Sequence, residues 1–358
     1  MKKKIDAVIL FAVALMVLAS GLISPKYNWD IIGYVASAYS YDGLQGAELS
    51  QLVYADIKRE VGPDKFDSLI DGDYQKTVYT DPDSLSQHLP FYKIRVAYVQ
   101  GMRGLHNFGV SYPKATFIIS AFFASFSVFL LGALCRVGNV SIKWVPFIVL
   151  LCGYGSLARL STPDAMACFV SLWALYSCVY RKSIFYFIVI LIPLVRTDYV
   201  ILSLILCLHA FFRGERLISL AASLVALGIY FSINYYCNNY GWLAIFNFSL
   251  IGLDPYPKYI RISKDISLYT LAYLNGFKDL LKHRDIIIYV PALLIFVFMD
   301  GYKTLSNELR VALRIAVSFM VSHMLLFPAY ENRFFIFSLS IFVISCLSFV
   351  ASRKLRWV

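Results

Sequence analysis

The sequence predicts an all-α fold, a polytopic transmembrane helix bundle, from its composition, its apolar segments and the placement of its basic residues. Of the 358 residues, 59% are hydrophobic and only 15% are charged, whereas about 25% are charged in an average soluble domain. Aromatic residues reach 16%, as expected for a bundle with aromatic belts at both membrane interfaces. Basic cytoplasmic loops and anionic lipids account for the net charge of +11, so membrane lipids are expected partners and nucleic acid is not.

Ten segments are apolar and long enough, or nearly long enough, to cross a bilayer, which takes about 20 residues. The first follows three lysines and resembles a signal peptide, but residues 22–25 form a poor cleavage site, so an uncleaved first helix is expected. Two later segments are short and meet at residues 195–198. The predicted spans are 7–24, 115–135, 143–158, 165–180, 183–195, 199–212, 217–236, 285–300, 309–328 and 334–351.

The basic residues orient this bundle. With the N-terminus in the cytoplasm and the spans alternating, every short inner connection carries Lys or Arg, whereas the short outer connections hold only Arg159, Arg196 and Arg333. This distribution satisfies the positive-inside rule. It predicts a multi-pass protein of the plasma (inner) membrane with both termini in the cytoplasm. The basic residues expected there are Lys2, Lys3, Lys4, Arg136, Lys143, Arg181, Lys182, Arg213, Arg216, Lys303, Arg310, Arg353, Lys354 and Arg356.

Two long connections remain, about 25–114 and 237–284, and the alternation places both outside. Amphipathic stretches near 46–60 and 91–108 predict interfacial helices within the first of them. No internal repeat, low-complexity linker or interrupted helix is evident, so residues 1–358 are expected to form one domain. The seven cysteines fall mostly in apolar runs without pairing or zinc-binding spacing, which favours a role as small apolar residues.

Charged residues near apolar segments cost free energy to place in a membrane, so they usually mark a functional site. Each short outer connection carries one arginine and one acid, whereas the charge of the inner connections is mostly basic. Taken singly, such a pair could be an interfacial ion pair that ties two helix ends together; taken jointly, the pairs predict an anion site on the outer face. The pairs are Arg159 with Asp164, Arg196 with Asp198, and Arg333 with Glu331, and Asp30 follows the first span.

These residue types suit group transfer from a lipid phosphate. Arginine side chains bind phosphate through two parallel hydrogen bonds, and a lipid phosphate lies at the outer membrane boundary. A carboxylate that faces this phosphate can take a proton from an acceptor hydroxyl, while arginines stabilise the charge on the leaving phosphate. One base and a direct attack predict inversion at the anomeric centre.

Three further residues are candidates for supporting roles, beside the acids Asp164, Asp198 and Glu331. Tyr34 follows Asp30 by four residues and would share a face with it if a helix begins at Asp30. His88 and His106 flank the 91–108 stretch and could contact the acceptor or the phosphate. A solvated or interfacial histidine is the simpler interpretation of each.

The arrangement resembles the GT-C superfamily of integral-membrane glycosyltransferases, which use polyprenyl-phosphate sugars. The resemblance rests on Asp30 at the start of a long outer loop, on interfacial helices in that loop, and on short outer loops with Arg and Pro-Asp elements. It covers nearly the whole chain, although each motif is short. It implies that Asp30 is the catalytic base and that Arg159, Arg196 and Arg333 bind the donor phosphate.

The resemblance further implies transfer of a hexose or pentose from a polyprenyl-phosphate donor to a glycan or lipid acceptor, in the biosynthesis of cell-envelope polysaccharide. Many members carry two adjacent acids at the first site, whereas this chain has Trp29, Asp30 and Ile31. No residue is therefore assigned to a metal, and a requirement for Mg²⁺ or Mn²⁺ is left open.

Two other classes of function remain open. An O-antigen-type polymerase or ligase would also need outer arginines, but its largest outer loop usually comes late in the chain, and here the first loop is the larger. A transporter or flippase for lipid-linked sugars would be indicated by inverted repeats and by helices interrupted at the membrane midplane. An acyltransferase is disfavoured because no paired His-Asp motif is present.

Overall fold

The fold is all-α, as the sequence predicts. A computed structural model describes residues 2–283 and 286–354. Helices take up 81% of the structure, and the described residues contain no β-strand beyond one isolated bridge between Lys26 and Leu160.

The described residues form twenty α-helices, which follow one another along the sequence. The first eight are α1 Lys2–Ile23, α2 Asp30–Tyr41, α3 Gly46–Val61, α4 Pro63–Ile70, α5 Asp73–Thr80, α6 Pro82–Lys93, α7 Val96–Asn107 and α8 Tyr112–Val137. The next six are α9 Val145–Leu151, α10 Tyr154–Arg159, α11 Asp164–Val179, α12 Phe185–Val195, α13 Val200–Phe212 and α14 Arg216–Tyr236. The last six are α15 Trp242–Leu250, α16 Ile266–Lys282, α17 Ile286–Phe298, α18 Gly301–Thr304, α19 Asn307–Leu326 and α20 Asn332–Lys354.

In the part of the chain that the structure describes, five helices are long and apolar enough to cross a bilayer: α1, α8, α14, α19 and α20. Each coincides with a predicted span. The other five predicted spans correspond to apolar helices of 10–17 residues: the stretch that includes α9, then α11, α12, α13 and α17. Residue 284 of the second predicted loop, residue 285 of the eighth predicted span and the predicted cytoplasmic Arg356 lie outside the described residues.

The predicted span 143–158 is interrupted, contrary to the expectation of unbroken helices. α9 ends at Leu151, and α10 begins at Tyr154 after Gly153, whose φ of +81° is a left-handed conformation that few other residues adopt. Two short helices therefore replace one span, because the backbone changes direction at this glycine.

Serine hydroxyls connect helices inside the bundle, where they have no access to water. Ser125 Oγ donates to the carbonyl of Ala14, joining α8 to α1 at 2.8 Å, and Ser203 Oγ donates to that of Val189 at 2.8 Å. Such contacts are typical of helix packing in membranes. Six of the seven cysteines are buried, and none of the seven forms a disulfide, in line with their predicted role as small apolar residues.

Helices α2 to α7 form a layer over one end of the bundle. α2 packs against α3, α6, α7 and α8, and its residues from Ile31 to Ala38 are all buried. The predicted amphipathic stretch 46–60 is α3. The predicted stretch 91–108 is not one helix, because α6 ends at Lys93 and α7 begins at Val96.

The second long connection packs on the first. Tyr240 Oη donates to the carbonyl of Gln87 at 3.0 Å, and Tyr256 Oη donates to Asp81 Oδ2 at 2.7 Å. The two segments that the sequence places on one side of the membrane are therefore in direct contact.

The helix ends form two groups, one at each end of the bundle, and members of a group contact one another. At one end of the bundle, Ser306 Oγ donates to the carbonyl of Val137 at 3.2 Å, and Arg213 Nη1 donates to that of Cys178 at 2.9 Å. At the opposite end, Tyr199 Oη donates to the carbonyl of Phe334 at 2.6 Å. The first group consists of ends with predicted basic connections, and the second consists of ends that carry the paired arginines and acids.

Candidate functional site

Asp30 and Arg333 form an ion pair between the beginning of α2 and the beginning of α20. Arg333 Nη1 lies 3.0 Å from Asp30 Oδ2. The same nitrogen lies 3.6 Å from Asp164 Oδ2, and Nε lies 4.0 Å from Glu331 Oε2. One guanidinium therefore connects acids from three separate parts of the chain.

Arg196 extends this network into the bundle. Its guanidinium donates to Asp198 twice, from Nε to Oδ1 at 3.1 Å and from Nη2 to Oδ2 at 2.8 Å. Nη1 donates to Asp164 Oδ1. Because Asp164 contacts both arginines, a single charge network joins Asp30, Arg333, Asp164, Arg196 and Asp198; we call these five residues the charge network.

Local backbone structure places each member of the charge network at a helix end. Asp30 and Asp164 are the first residues of α2 and α11, where a negative charge interacts favourably with the helix dipole. Arg196 follows the last residue of α12, and a short 3₁₀ turn at Thr197–Tyr199 leads into α13. The ends of these helices are the predicted outer connections, which explains why sequence-distant charges meet.

Burial differs along the charge network. The side chain of Asp164 is 2% exposed and that of Arg196 is 7% exposed, whereas that of Asp30 is 27% exposed. A buried ion pair is compensated for lost hydration only by good geometry and further hydrogen bonds, and Thr162 Oγ1 supplies one to Asp164 at 2.7 Å. The side chain of Asp198 is 31% exposed, so Asp30 and Asp198 are the two partly exposed acids of the charge network.

Tyrosines surround Asp30. Tyr92 Oη donates to Asp30 Oδ1 over a long 3.4 Å, and Asn28 Nδ2 donates to Oδ2 at 2.7 Å. Tyr34 does share a helix with Asp30, as predicted, and its ring packs edge-on against those of Tyr92 and Tyr98. Burial raises the pKa of Tyr34, and Asp30 adds to this rise while Arg95 opposes it. Tyr34 therefore stays protonated at neutral pH, within electrostatic range of the charge network.

Arg159 occupies a different place from the other two predicted phosphate ligands. Its Nε donates to the carbonyl of Ser24 at 2.5 Å, and its own carbonyl accepts from the backbone nitrogen of Lys26 at 2.7 Å. None of the ion pairs among the described residues includes it. In this structure Arg159 joins the end of α10 to the end of α1.

The two predicted histidines also lie apart from the charge network. His88 is buried and bridges Ser84 and Tyr74, with Nδ1 2.8 Å from the Ser84 carbonyl and Nε2 2.5 Å from Tyr74 Oη. His106 is exposed and stacks on Tyr112 at 4.1 Å between ring centroids. His88 thus belongs to the packing of α5 against α6, and His106 to that of α7 against α8.

Two residues that contact or face the charge network were not predicted as site residues. His323 is 4% exposed, and its Nε2 lies 3.3 Å from Asp198 Oδ2. Arg95 acts electrostatically on Tyr34 and on Asp198. Its Nη1 donates to the Phe91 carbonyl at 2.7 Å, while its buried Nε has no hydrogen-bond partner and its guanidinium joins no ion pair among the described residues. The position of His323 within an apolar span is a sequence feature that could have indicated its role. No comparable feature distinguishes Arg95 from the other residues of 91–108.

The donor set of this site does not fit a divalent cation. Asp30, Asp164 and Asp198 all face guanidinium groups, and residues 2–283 and 286–354 contain no group of three or more His, Cys, Asp or Glu side chains arranged around a common metal position.

Comparison of the chain with protein-family models, with curated proteins and with solved structures finds no match.

Proposed function

We propose that the protein is a membrane glycosyltransferase that transfers a sugar from a polyprenyl-phosphate donor to an acceptor hydroxyl on the outer face of the plasma membrane. One observation supports this most strongly: Asp30, a partly exposed acid of the charge network, shares one network with two arginines at a single end of the bundle. A base and a phosphate-binding pair are the parts that such a transfer needs.

The transfer step uses residues of the chain alone. The acceptor hydroxyl gives its proton to Asp30, and its oxygen forms a bond to the anomeric carbon. The bond between that carbon and the phosphate oxygen breaks, and its electron pair leaves with the phosphate. Arginines stabilise this charge, which is why no acid is needed to protonate the leaving group. Attack opposite the leaving group inverts the anomeric configuration.

Donor binding exchanges ion pairs in this proposal. Arg333 is held by Asp30 in the present arrangement, so a donor phosphate that engages Arg333 displaces the carboxylate and leaves it open to the acceptor hydroxyl. The base thus becomes available when the phosphate is in place. Arg95 supplies a further cation, since its guanidinium carries no carboxylate partner among the described residues, and an arginine fork suits phosphate oxygens.

The proposed topology has about ten spans with both termini in the cytoplasm. The five long apolar helices and the five shorter ones supply them. The sorting of helix ends supports the alternation, because ends with basic connections contact one another, and so do ends with the charge network. The layer of α2 to α7 and the connection 237–284 then lie on the outer side.

A direct test uses the purified protein in lipid nanodiscs with radiolabelled polyprenyl-phosphate hexoses and pentoses, and with glycans and lipids extracted from cell envelopes as acceptors. Donor consumption and release of polyprenyl phosphate are expected with the wild-type protein. Asp30→Asn should lower the transfer rate by about 10²- to 10⁴-fold, whereas Asp67→Asn, an exposed acid in α4, should leave it unchanged. Full activity in Asp30→Asn would remove Asp30 as the base, and failure to bind any of these donors would refute the proposed function.

A flippase for lipid-linked sugars is the second candidate, and the break between α9 and α10 at Gly153 favours it. Interrupted helices line the substrate sites of many transporters. Liposomes with a fluorescent polyprenyl-phosphate sugar in one leaflet distinguish the two candidates. Movement between leaflets without release of polyprenyl phosphate would favour transport.

A further inference from the structure

An open cleft lies beside the charge network, between α16 and the connection from α19 to α20. Its volume is about 670 Å³, which falls in the range of roughly 300–1,000 Å³ typical of small-molecule sites. Polar side chains from three parts of the chain line it. They are Ser249, Asn275, Asp279, Lys282, His283 and Glu331.

Close packing of α16 against the chain after α19 shapes this cleft. A Cβ atom on Gly276 would lie 1.8 Å from the carbonyl oxygen of Pro328, so only glycine fits there. Tyr273 Oη donates to the carbonyl of Leu325 at 2.5 Å, and Trp242 Nε1 donates to that of Leu326 at 3.1 Å. These donors satisfy carbonyls that the end of α19 leaves without helical partners, and they hold α15 and α16 against the end of α19.

The lining suits a ligand that is neutral and rich in hydroxyl groups. Two acids, Asp279 and Glu331, face one lysine and one histidine, and Asp279 already pairs with Lys282 at 3.1 Å. An anionic ligand would need a surplus of cations, which this lining lacks. Carboxylates accept, and the amide of Asn275 both donates and accepts, so they can hold neighbouring hydroxyl groups of one sugar.

Glu331 belongs to both the cleft and the surroundings of the charge network. The Glu331 carboxylate lies 4.0 Å from Arg333 Nε, and Arg333 Nη1 lies 3.0 Å from the Asp30 carboxylate. Because both acids contact one guanidinium, less than about 10 Å separates them. Asp30 itself does not line the cleft, so a sugar would have to extend past Glu331 to present a hydroxyl to Asp30.

We infer that this cleft is the acceptor subsite and that the acceptor is a glycan rather than a lipid. The inference rests on the proposed glycosyl transfer. A hydroxyl of the glycan gives its proton to Asp30, its oxygen takes the anomeric carbon of the donor, and the carbon–phosphate oxygen bond breaks. The products are a glycan longer by one sugar and a polyprenyl phosphate.

The test supplies the protein in nanodiscs with the radiolabelled donors and, separately, with the water-soluble glycans or the total lipids extracted from envelopes of the producing cells. Label is expected in the glycan product. Label that appears in the lipid product would overturn the inference while leaving the transferase intact. Absence of donor hydrolysis and of transfer in every wild-type assay would overturn the proposed function, and the inference with it.

Substitutions of residues that line the cleft test whether the acceptor binds there. Asn275→Ala combined with Asp279→Ala should raise the KM for the glycan at least tenfold while the KM for the donor stays at the wild-type value. Lys278→Ala, an exposed neighbour on the same helix that does not line the cleft, should change neither constant. An unchanged glycan KM in the double variant, with the protein folded to wild-type thermal stability, would place the acceptor elsewhere.

Discussion

Arg333 Nη1 donates to Asp30 Oδ2 at 3.0 Å across 303 residues of sequence. This hydrogen bond joins the first short helix after α1 to the last helix of the bundle. In the proposed mechanism this guanidinium has two functions, because it holds Asp30 in place before the donor binds and stabilises the leaving phosphate afterwards.

Replacement of Arg333 should therefore lower the activity with the donor more than it lowers the stability of the fold. Arg333→Gln is expected to lower kcat/KM by about 10²- to 10³-fold, the usual cost of losing one charge-stabilising donor. Arg333→Lys keeps the charge without the planar fork and should recover only part of the loss. Steady-state kinetics on a labelled donor would measure both. Equal activity of Lys and Gln variants would contradict a role for the charge.

Arg196→Met should destabilise the protein. The change leaves Asp164, which is 2% exposed, facing Arg333 alone at 3.6 Å, and loss of one partner of a buried pair costs about 3–5 kcal/mol. Arg196→Met with Asp164→Asn should regain part of this stability. Denaturant unfolding in detergent, followed by tryptophan fluorescence, measures the difference. If the double variant were the less stable of the two, the proposed coupling would be wrong.

Arg95→Gln should weaken donor binding without a loss of stability comparable to that of Arg196→Met. Arg95 has no carboxylate partner in the described structure, so removing its charge leaves no acid behind. Arg103→Gln is the matched control, because Arg103 lies in the same layer but pairs with Asp42 at 3.0 Å. Equilibrium binding of a polyprenyl-phosphate sugar should separate the two variants. Equal donor affinity in both would exclude Arg95 from the phosphate site.

Gly276→Ala should destabilise the protein, whereas Gly228→Ala should not. The added methyl group at 276 meets the Pro328 carbonyl at 1.8 Å, while at 228 nothing lies within 4 Å. Overpacking typically costs about 1–3 kcal/mol, and a fixed backbone oxygen puts this site at the upper end. Thermal unfolding of the two variants in the same detergent is the measurement. A wild-type midpoint for Gly276→Ala would show that α16 is free to shift.

The stability of the layer formed by α2 to α7 should fall as the pH drops below about 6.5. Burial lowers the pKa of His88, so the unfolded chain binds a proton at a pH where the folded protein still holds His88 neutral. Stability therefore decreases from the unfolded pKa down to the folded one, by at most about 1.4 kcal/mol per pH unit. Unfolding midpoints between pH 7.5 and 5 should show a smaller slope in His88→Gln. An unchanged slope would assign the effect to another group.

The sequence predicts the charge network better than its surroundings. Apolar length and the positive-inside rule place helix ends on a common side, and Asp30, Arg196 and Arg333 follow from that placement because each lies at such an end. These rules do not say where a long side chain points. Arg159 lies at the same kind of position, yet its guanidinium turns to the Ser24 carbonyl.

Other departures have local causes. The break after α9 depends on the positive φ of Gly153, and an apolar run gives no sign of it. His88 is buried by contacts with Tyr74 of the preceding helix and with Phe248 of α15, which is far away in the sequence. Arg95 lies between α6 and α7, and the amphipathic pattern of 91–108 gives no sign of the break between these helices.

The shortness of α12 and α13 has a consequence for the surrounding lipid. They contain 11 and 13 residues, which amounts to about 16 and 20 Å at 1.5 Å per residue, against a hydrocarbon thickness of about 30 Å. In the proposed topology, this mismatch thins the bilayer locally on the outer side at Arg196, or leaves a water-filled depression there. In the same topology, lipids with longer acyl chains would cover this region and hinder access to it, and thinner membranes would be the preferred location of the protein.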